Sequence, residues 1–358
     1  MISCLLNAVM LSGLLLFVSC TEEEVYAPKD DNCIMFGLVA NDGWGTVTRG
    51  YELTQQRLAT KGFGVFTFYK STTAPDFMNN QAVFSNDNGT NWQYSPVKYW
   101  PQTQGDKLSF LAYAPYDEEK VIDGTSIAFE VKSNVAHQVD LCWSNSDTRR
   151  MDKNSGTVEF NFKHALSRIG FTARAQADGK SPLPDGMTIK IKKLVLTSPT
   201  DFTGSGTGVF HANGVLNLDN MEDTPKWSDI TGITHFTLLP ENFDGKATDG
   251  FTLDKNNTTA AVQLNADDSY VMVIPQDMSG QGFNVYIEYE MHLQKGHEYF
   301  TYTNKGLGNI KVNLEPGKAY TIEILFNPEK IELFDPEINL ISILEWTSGG
   351  SVYIQGMV

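Results

Sequence analysis

This sequence predicts an all-β chain, and three observations predict it. Past residue 30, apolar residues recur at every second position, and clusters of Gly, Pro, Asn and Asp interrupt them at short intervals. No segment carries a long apolar stripe at helical spacing. Successive side chains of a strand point to opposite faces, so period-two alternation means one buried face and one wet face. Many short strands of this kind, separated by turn signals, predict β-sandwiches.

The first element is not a strand. Leu5–Val18 is an apolar run broken only by Asn7, Ser12 and Gly13. It is short for a membrane-spanning helix and suits the apolar region of an export signal. It ends in Phe17-Val18-Ser19-Cys20, which resembles the lipobox of bacterial lipoproteins, where a small residue precedes the lipidated cysteine. Two features depart from that pattern: no Lys or Arg precedes the run, and Phe17 stands where Leu is usual. Thr21-Glu22-Glu23-Glu24 directly behind Cys20 resembles the surface-export signal of Bacteroidota lipoproteins. Residues 1–20 are therefore read as a lipoprotein signal, with Cys20 as the lipidation site that anchors the precursor in the outer membrane.

The strands follow in order. Ile34–Val39 is the candidate first strand, followed by the polar, Gly-rich Asn41–Gly45 and by Arg49 in Val47-Thr48-Arg49-Gly50. Phe63–Tyr69 and Ser269–Ile274 are apolar on both faces, as central strands are. Val158–His164, Phe283–Met291 and Tyr320–Phe326 alternate, each with one wet face. Met187, Ile189 and Ile191 fall in one phase and Leu194 and Leu196 in the other, which predicts a β-bulge at Lys192-Lys193. Pro182–Gly186 and the Gly-rich Thr203–Gly208 are candidate joints. The expected division is residues 21–49 as an N-terminal segment carrying the first strand, 50–205 as one sandwich and 206–358 as a second. At the C-terminus Ile338, Leu340, Leu344 and Trp346 share one face, with Ser342 the polar exception, and a Thr347–Gly350 turn leads into Ser351–Ile354.

Composition excludes several functions. The formal net charge of -16 argues against nucleic acid, whose phosphates need a basic surface to displace their counterions. Of the four cysteines, Cys4 and Cys20 lie in the export segment. Cys33 and Cys142 remain, without C-x-x-C spacing, and read as two isolated small thiols rather than a disulfide or a metal site. Gly204–Gly208 is not a phosphate loop, because Val209–Leu218 reads as strand and turn where a helix would be needed. The histidines are scattered. His164 stands on an apolar face with Phe160 and Phe162 and reads as a hydrogen-bonded core residue. No G-x-S-x-G occurs, Asp267-Asp268 reads as a turn, and no catalytic residue, metal ligand or cofactor is expected. Trp44, Trp92, Tyr94, Tyr99 and Trp100 read as covers for core and sheet edge, with stacking on sugar rings as the competing role.

Four segments together resemble the fimbrillin-like (FimA-like) family of Bacteroidota. They are Tyr99-Trp-Pro with Leu108–Pro115, Phe160–Ile169, Val271–Gln276 and Leu314–Ile322. The resemblance implies two transthyretin-like β-sandwich domains in tandem, export as a lipoprotein, and no enzymatic activity. It further implies cleavage by an Arg-specific or trypsin-like protease after an Arg that follows the first strand. A neighbour's strand then fills the vacated groove, and a cell-surface pilus grows by strand exchange. In this sequence Arg49 is the matching cleavage site, with Arg57 the nearby alternative, and Ile338, Leu340, Leu344 and Trp346 are the matching donor residues. The expected partners are other pilus subunits and, through Cys20, outer-membrane lipid. The alternative is an uncleaved, lipid-anchored surface protein that acts as a pilus anchor or as an adhesin for host or glycan ligands.

Overall fold

A computed structural model describes residues 32–39, 53, 55–70, 72, 74–103, 105–144, 156–176, 182–218, 226–239, 250–257, 261–265, 270–327 and 336–346. The chain begins with β1 (Phe36–Leu38), α1 (Gln55–Lys61), β2 (Phe63–Tyr69), β3 (Met78–Val83) and β4 (Leu108–Ala114). β5 (Val121–Asp123), β6 (Ser126–Glu130), β7 (Cys142–Ser144), β8 (Val158–Phe160) and β9 (Lys163–His164) follow. Next come β10 (Ser167–Ala175), β11 (Met187–Thr197), β12 (Phe210–Asn217), β13 (Lys226–Thr234) and β14 (Phe236–Leu239). β15 (Phe251–Leu253), β16 (Val262–Gln263), β17 (Val271–Val273) and β18 (Gln276–Asp277) are short. β19 (Phe283–Lys295), β20 (Glu298–Ile310), β21 (Asn313–Leu314), β22 (Lys318–Phe326) and β23 (Glu337–Glu345) are the last elements among the described residues. The all-β expectation holds. α1 is a short exception that buries Leu58 and Ala59 and ends at Gly62, whose amide bonds to the Leu58 carbonyl at 2.7 Å.

One sheet runs β3-β2-β4-β7-β9, and β1 pairs in parallel with β8 beside it. Phe63, Val65, Leu108 and Phe110 pack on one side of this sheet with Ile34, Phe36, Phe160 and Phe162. Phe66, Leu111 and Tyr113 alternate to the other side and join a larger core. This burial on both faces is what the run Phe63–Tyr69 predicted. Two further sheets, β16-β10-β22-β23 and β14-β11-β19-β20, face each other across that larger core. Tyr289 of β19 meets Phe326 of β22 across the gap, with ring centroids 4.9 Å apart. β17 shares an edge of β10 with β16, and β15 shares an edge of β11 with β14.

The register shift between Ile191 and Lys193 in the β11–β19 pair is the expected bulge, and it lets both apolar phases of β11 face the core. Val158–His164 keeps its alternation of burial but changes partner midway. β8 pairs with β1, whereas β9 pairs with β7. Tyr320–Phe326 departs from the expected single wet face. β22 lies between β10 and β23, and Glu323 is buried because Arg174 of β10 holds it with two bonds of 2.6 and 2.7 Å.

The sheets do not divide at residue 205. β10 and β11 precede that point, yet they are inner strands of sheets completed by strands beyond it. β6 lies far before it and pairs with β12 after it. Apart from β6, which pairs with β12, the change of partners falls between β9 and β10, near residue 165. Even there the core continues, since Gln138 pairs with Met272 of β17 through bonds of 3.0 and 2.7 Å, as a strand would.

The Gly-rich stretch near 205 is an ordered loop rather than a joint. The Asp201 carboxylate accepts bonds from the Thr197 and Ser205 hydroxyls and from the amides of Thr203, Gly206 and Thr207. Burial alone would raise its pKa. These donors outweigh burial and hold the carboxyl far below the usual carboxylate range. Gly204 is required because a Cβ there would lie 2.2 Å from the Tyr286 ring. The loop therefore covers the outer face of β19, where Asn284 bonds to the Pro199 and Asp201 carbonyls at 3.2 and 3.1 Å.

Candidate functional site

Cys20, Arg49, Trp44, Asp267-Asp268 and Thr347–Ile354 lie outside the described residues. Arg57 is partly exposed on α1. Trp92, Tyr94 and Trp100 take the core role. Trp92 packs on Phe63, Tyr94 on Phe36 and Trp100 on Phe110, with centroids 5.0, 5.1 and 5.8 Å apart, while Tyr99 is exposed. The candidate site is the first and last strands among the described residues, β1 and β23.

The first strand lies between two segments. On one edge Ile34 N bonds to the Lys98 carbonyl and Trp100 N to the Asn32 carbonyl, both at 2.9 Å. On the other edge, Val158 N bonds to the Met35 carbonyl at 2.8 Å and Val39 N to the Phe160 carbonyl at 3.1 Å. The Tyr94 hydroxyl adds a bond of 2.8 Å to the Ile34 carbonyl. Ile34 and Phe36 are buried, and the Phe36 ring touches Phe63, Tyr94, Phe110 and Phe160. Cys33 is a free thiol at this edge, bridged through its backbone to Tyr99.

The last strand, β23, pairs antiparallel with β22 and with no other strand among the described residues. Ile338, Leu344 and Trp346 are buried, Leu340 and Ser342 are half-buried, and Ile341 and Ile343 on the opposite face are about half exposed at 51% and 49%. Ile338 lies against the backbone of β20, where a Cβ on Gly308 would approach its Cβ to 2.4 Å. Only glycine fits beneath it.

Trp346 has the most elaborate seat. Its amide bonds to the Gly317 carbonyl at 2.7 Å. One ring face stacks on His164 at 3.9 Å and 3°, and the Arg168 guanidinium lies 5.4 Å from the ring centroid. His164 is the hydrogen-bonded core histidine its alternation predicted, joined through Nδ1 to Asp140 at 2.9–3.0 Å. Asp140 in turn accepts the Leu53 amide at 2.9 Å. A buried polar chain thus runs from the segment just after Arg49, through Asp140 and His164, to the last strand. Cys142 adjoins it, with Sγ 3.5 Å from Nδ1 of His164. Burial first, then the Asp140 carboxylate, push the Cys142 thiol well above its ordinary value, so it is no ready nucleophile. Sequence reasoning missed Asp140 and Leu53, because only β-pairing brings them to His164.

Residues 48–340 match the model of a family described as fimbrillin-like. A fimbrium subunit, Fim1C, of Phocaeicola vulgatus is 31% identical over 194 residues, covering 46% of this chain and 49% of that protein. The match thus spans about half the length of that curated relative. Among solved structures, a putative cell adhesion protein from Bacteroides uniformis is similar with a TM-score of 0.48 and 17% identity, covering 89% of this chain and 100% of the other. The fimbrial anchor protein Mfa2 from Porphyromonas gingivalis is similar with a TM-score of 0.33 and 10% identity, covering 82% and 92%.

Proposed function

The chain belongs to the fimbrillin-like family, a family of fimbrial structural proteins and not of enzymes, and from that premise we propose that it is a subunit of a cell-surface pilus. The subunit is exported as a lipoprotein through Cys20, cut after Arg49, and polymerised by strand exchange. It consists of two β-sandwiches whose junction lies near residue 165. One observation carries this reading: the first strand is a small, separable piece set between two segments that do not need it to connect them. Its alternating Ile34, Phe36 and Leu38 have the same spacing as Ile338 and Leu340 of the last strand. Cleavage after Arg49 would release the first strand from covalent attachment and leave open ladders at Lys98–Trp100 and Val158–Phe160. A neighbour's last strand could supply both the backbone bonds and the apolar side chains.

Mass spectrometry of the N-terminus of protein taken from the cell surface tests the proposal. A chain beginning at Gly50 is expected, and a population that keeps lipidated Cys20 throughout would refute cleavage. Deletion of residues 338–358 should leave export intact and abolish filaments; normal filaments after it would refute the donor role.

A second reading, an uncleaved anchor or glycan-binding adhesin, has its own observation. Tyr299 is 76% exposed beside a cleft of ≈ 350 Å³ lined by Asp185, Lys255, His292 and Gln294. An exposed ring flanked by polar side chains suits a sugar. Saturable glycan binding that is lost in Tyr299→Ala would favour this reading.

A further inference from the structure

We propose that Asp140, Cys142 and His164 form a site for a thiophilic divalent cation of the zinc class. The inference does not depend on the pilus reading. The backbone creates the convergence. Cys142 and His164 are directly paired across β7 and β9, so their side chains stand on one face of the sheet. Asp140 lies two residues before Cys142 and returns to that same face. All three are buried, at 1%, 1% and 6% exposure, and their ligand atoms lie within 4.8 Å of one another.

The distances suit a metal. With a zinc–sulfur bond of about 2.3 Å and a zinc–nitrogen bond of about 2.0–2.1 Å, the S···N edge of a tetrahedron is about 3.5 Å. Sγ of Cys142 lies 3.5 Å from Nδ1 of His164. Oδ1 and Oδ2 of Asp140 are almost equally near that nitrogen, at 3.0 and 2.9 Å. Each of the three side chains supplies one donor atom, Asp140 through Oδ1, because Oδ2 already accepts the Leu53 amide. A small shift outward by the carboxylate opens the centre.

Once the metal is bound, a carboxylate and a thiolate with a neutral imidazole carry two negative charges, which a divalent cation cancels in a site shut off from water. Sulfur and imidazole nitrogen favour zinc over calcium or magnesium, which take oxygen ligands. Coordination breaks the Cys142 S–H bond, forms the sulfur–metal bond and releases the proton to solvent. The ligands are also held from outside. The Leu53 amide fixes Asp140 at 2.9 Å, and Trp346 fixes the plane of His164.

The test uses the mature protein, unfolded in chelator and refolded with Co²⁺ or Zn²⁺, so that burial does not block entry. One cobalt per chain is expected, with a thiolate-to-cobalt charge-transfer band that zinc abolishes. Cys33→Ser should keep the band. Cys142→Ser should lose it and weaken zinc binding by more than the roughly 10–100-fold that outer-shell changes cost. His292→Ala and His297→Ala should change nothing. Folded protein that takes up no stoichiometric metal overturns the proposal, and so does zinc uptake that survives Cys142→Ser or a band that disappears in Cys33→Ser. If Cys142→Ser fails to fold, Asp140→Asn replaces it, and unchanged uptake there is equally fatal.

Discussion

The first and last strands solve one packing problem with different means. Both insert alternate apolar side chains into a cleft, Ile34 and Phe36 at one end and Ile338, Leu344 and Trp346 at the other. The first strand is short and has hydrogen-bond partners along both edges. The last strand is three times as long but has one ladder only, and relies on side-chain anchors. A strand held on both edges cannot leave without opening two ladders, whereas one held on a single edge can peel away. Under the strand exchange proposed above, the first strand would have to open two ladders to leave and the last strand only one.

The sharpest way to break this comparison is at Trp346. Trp346→Ala should destabilise the protein by about 3–5 kcal/mol, because it empties a buried indole site and uncovers His164. Chemical denaturation measures it, and a loss below 1 kcal/mol would mean the last strand is not anchored there. Phe36→Ala should cost somewhat less, about 3–4 kcal/mol, since the surrounding rings can partly collapse into the space. In amide exchange, the outward-facing amides of β23 should exchange faster than those of residues 34–39. Equal protection would erase the distinction between the ends.

A loop away from both ends supplies a reference. Asp201→Asn should cost about 1–3 kcal/mol at neutral pH by weakening the bonds that organise residues 197–207. The folded pKa of Asp201 is depressed, so its contribution is full above the unfolded value of about 3.9 and declines as pH falls through the folded value. The gap between wild type and variant should therefore narrow below about pH 4 in acid titrations of stability. Smallest of all, Lys318→Ala should cost under about 1 kcal/mol, because the Lys318–Glu345 pair on the last ladder is solvent-exposed on the Glu345 side. A larger loss would show that charge, rather than Trp346 and its neighbours, fixes the strand.

Local pattern was legible in the sequence, and long-range pairing was not. The phase change at Lys192-Lys193 announced its bulge, and the alternation at His164 announced its burial, since both depend on neighbouring residues. The pairing of β6 with β12 depends on segments far apart, for which the chain carries no local mark. The wet face expected at Glu323 failed because its Arg174 partner is remote in sequence. Thr203–Gly208 looked like a joint because glycine permits many conformations, yet the Asp201 carboxylate chooses one. Cys142 and His164 were each legible, but their meeting with Asp140 was not, because they stand 22 residues apart and only the pairing of β7 with β9 joins them.

The bulge in the last ladder, between Thr321 and Ile322, has a mechanical consequence. Tension applied along the axis of β23 loads its hydrogen bonds in shear, so they share the force, whereas a pull across the axis breaks them one by one. The bulge divides the ladder into two runs, one ending at Glu345 beside Trp346 and the other at Glu337 beside Ile338. A rupture that starts at either end must restart at the bulge, so under load the terminal strand should yield in two steps.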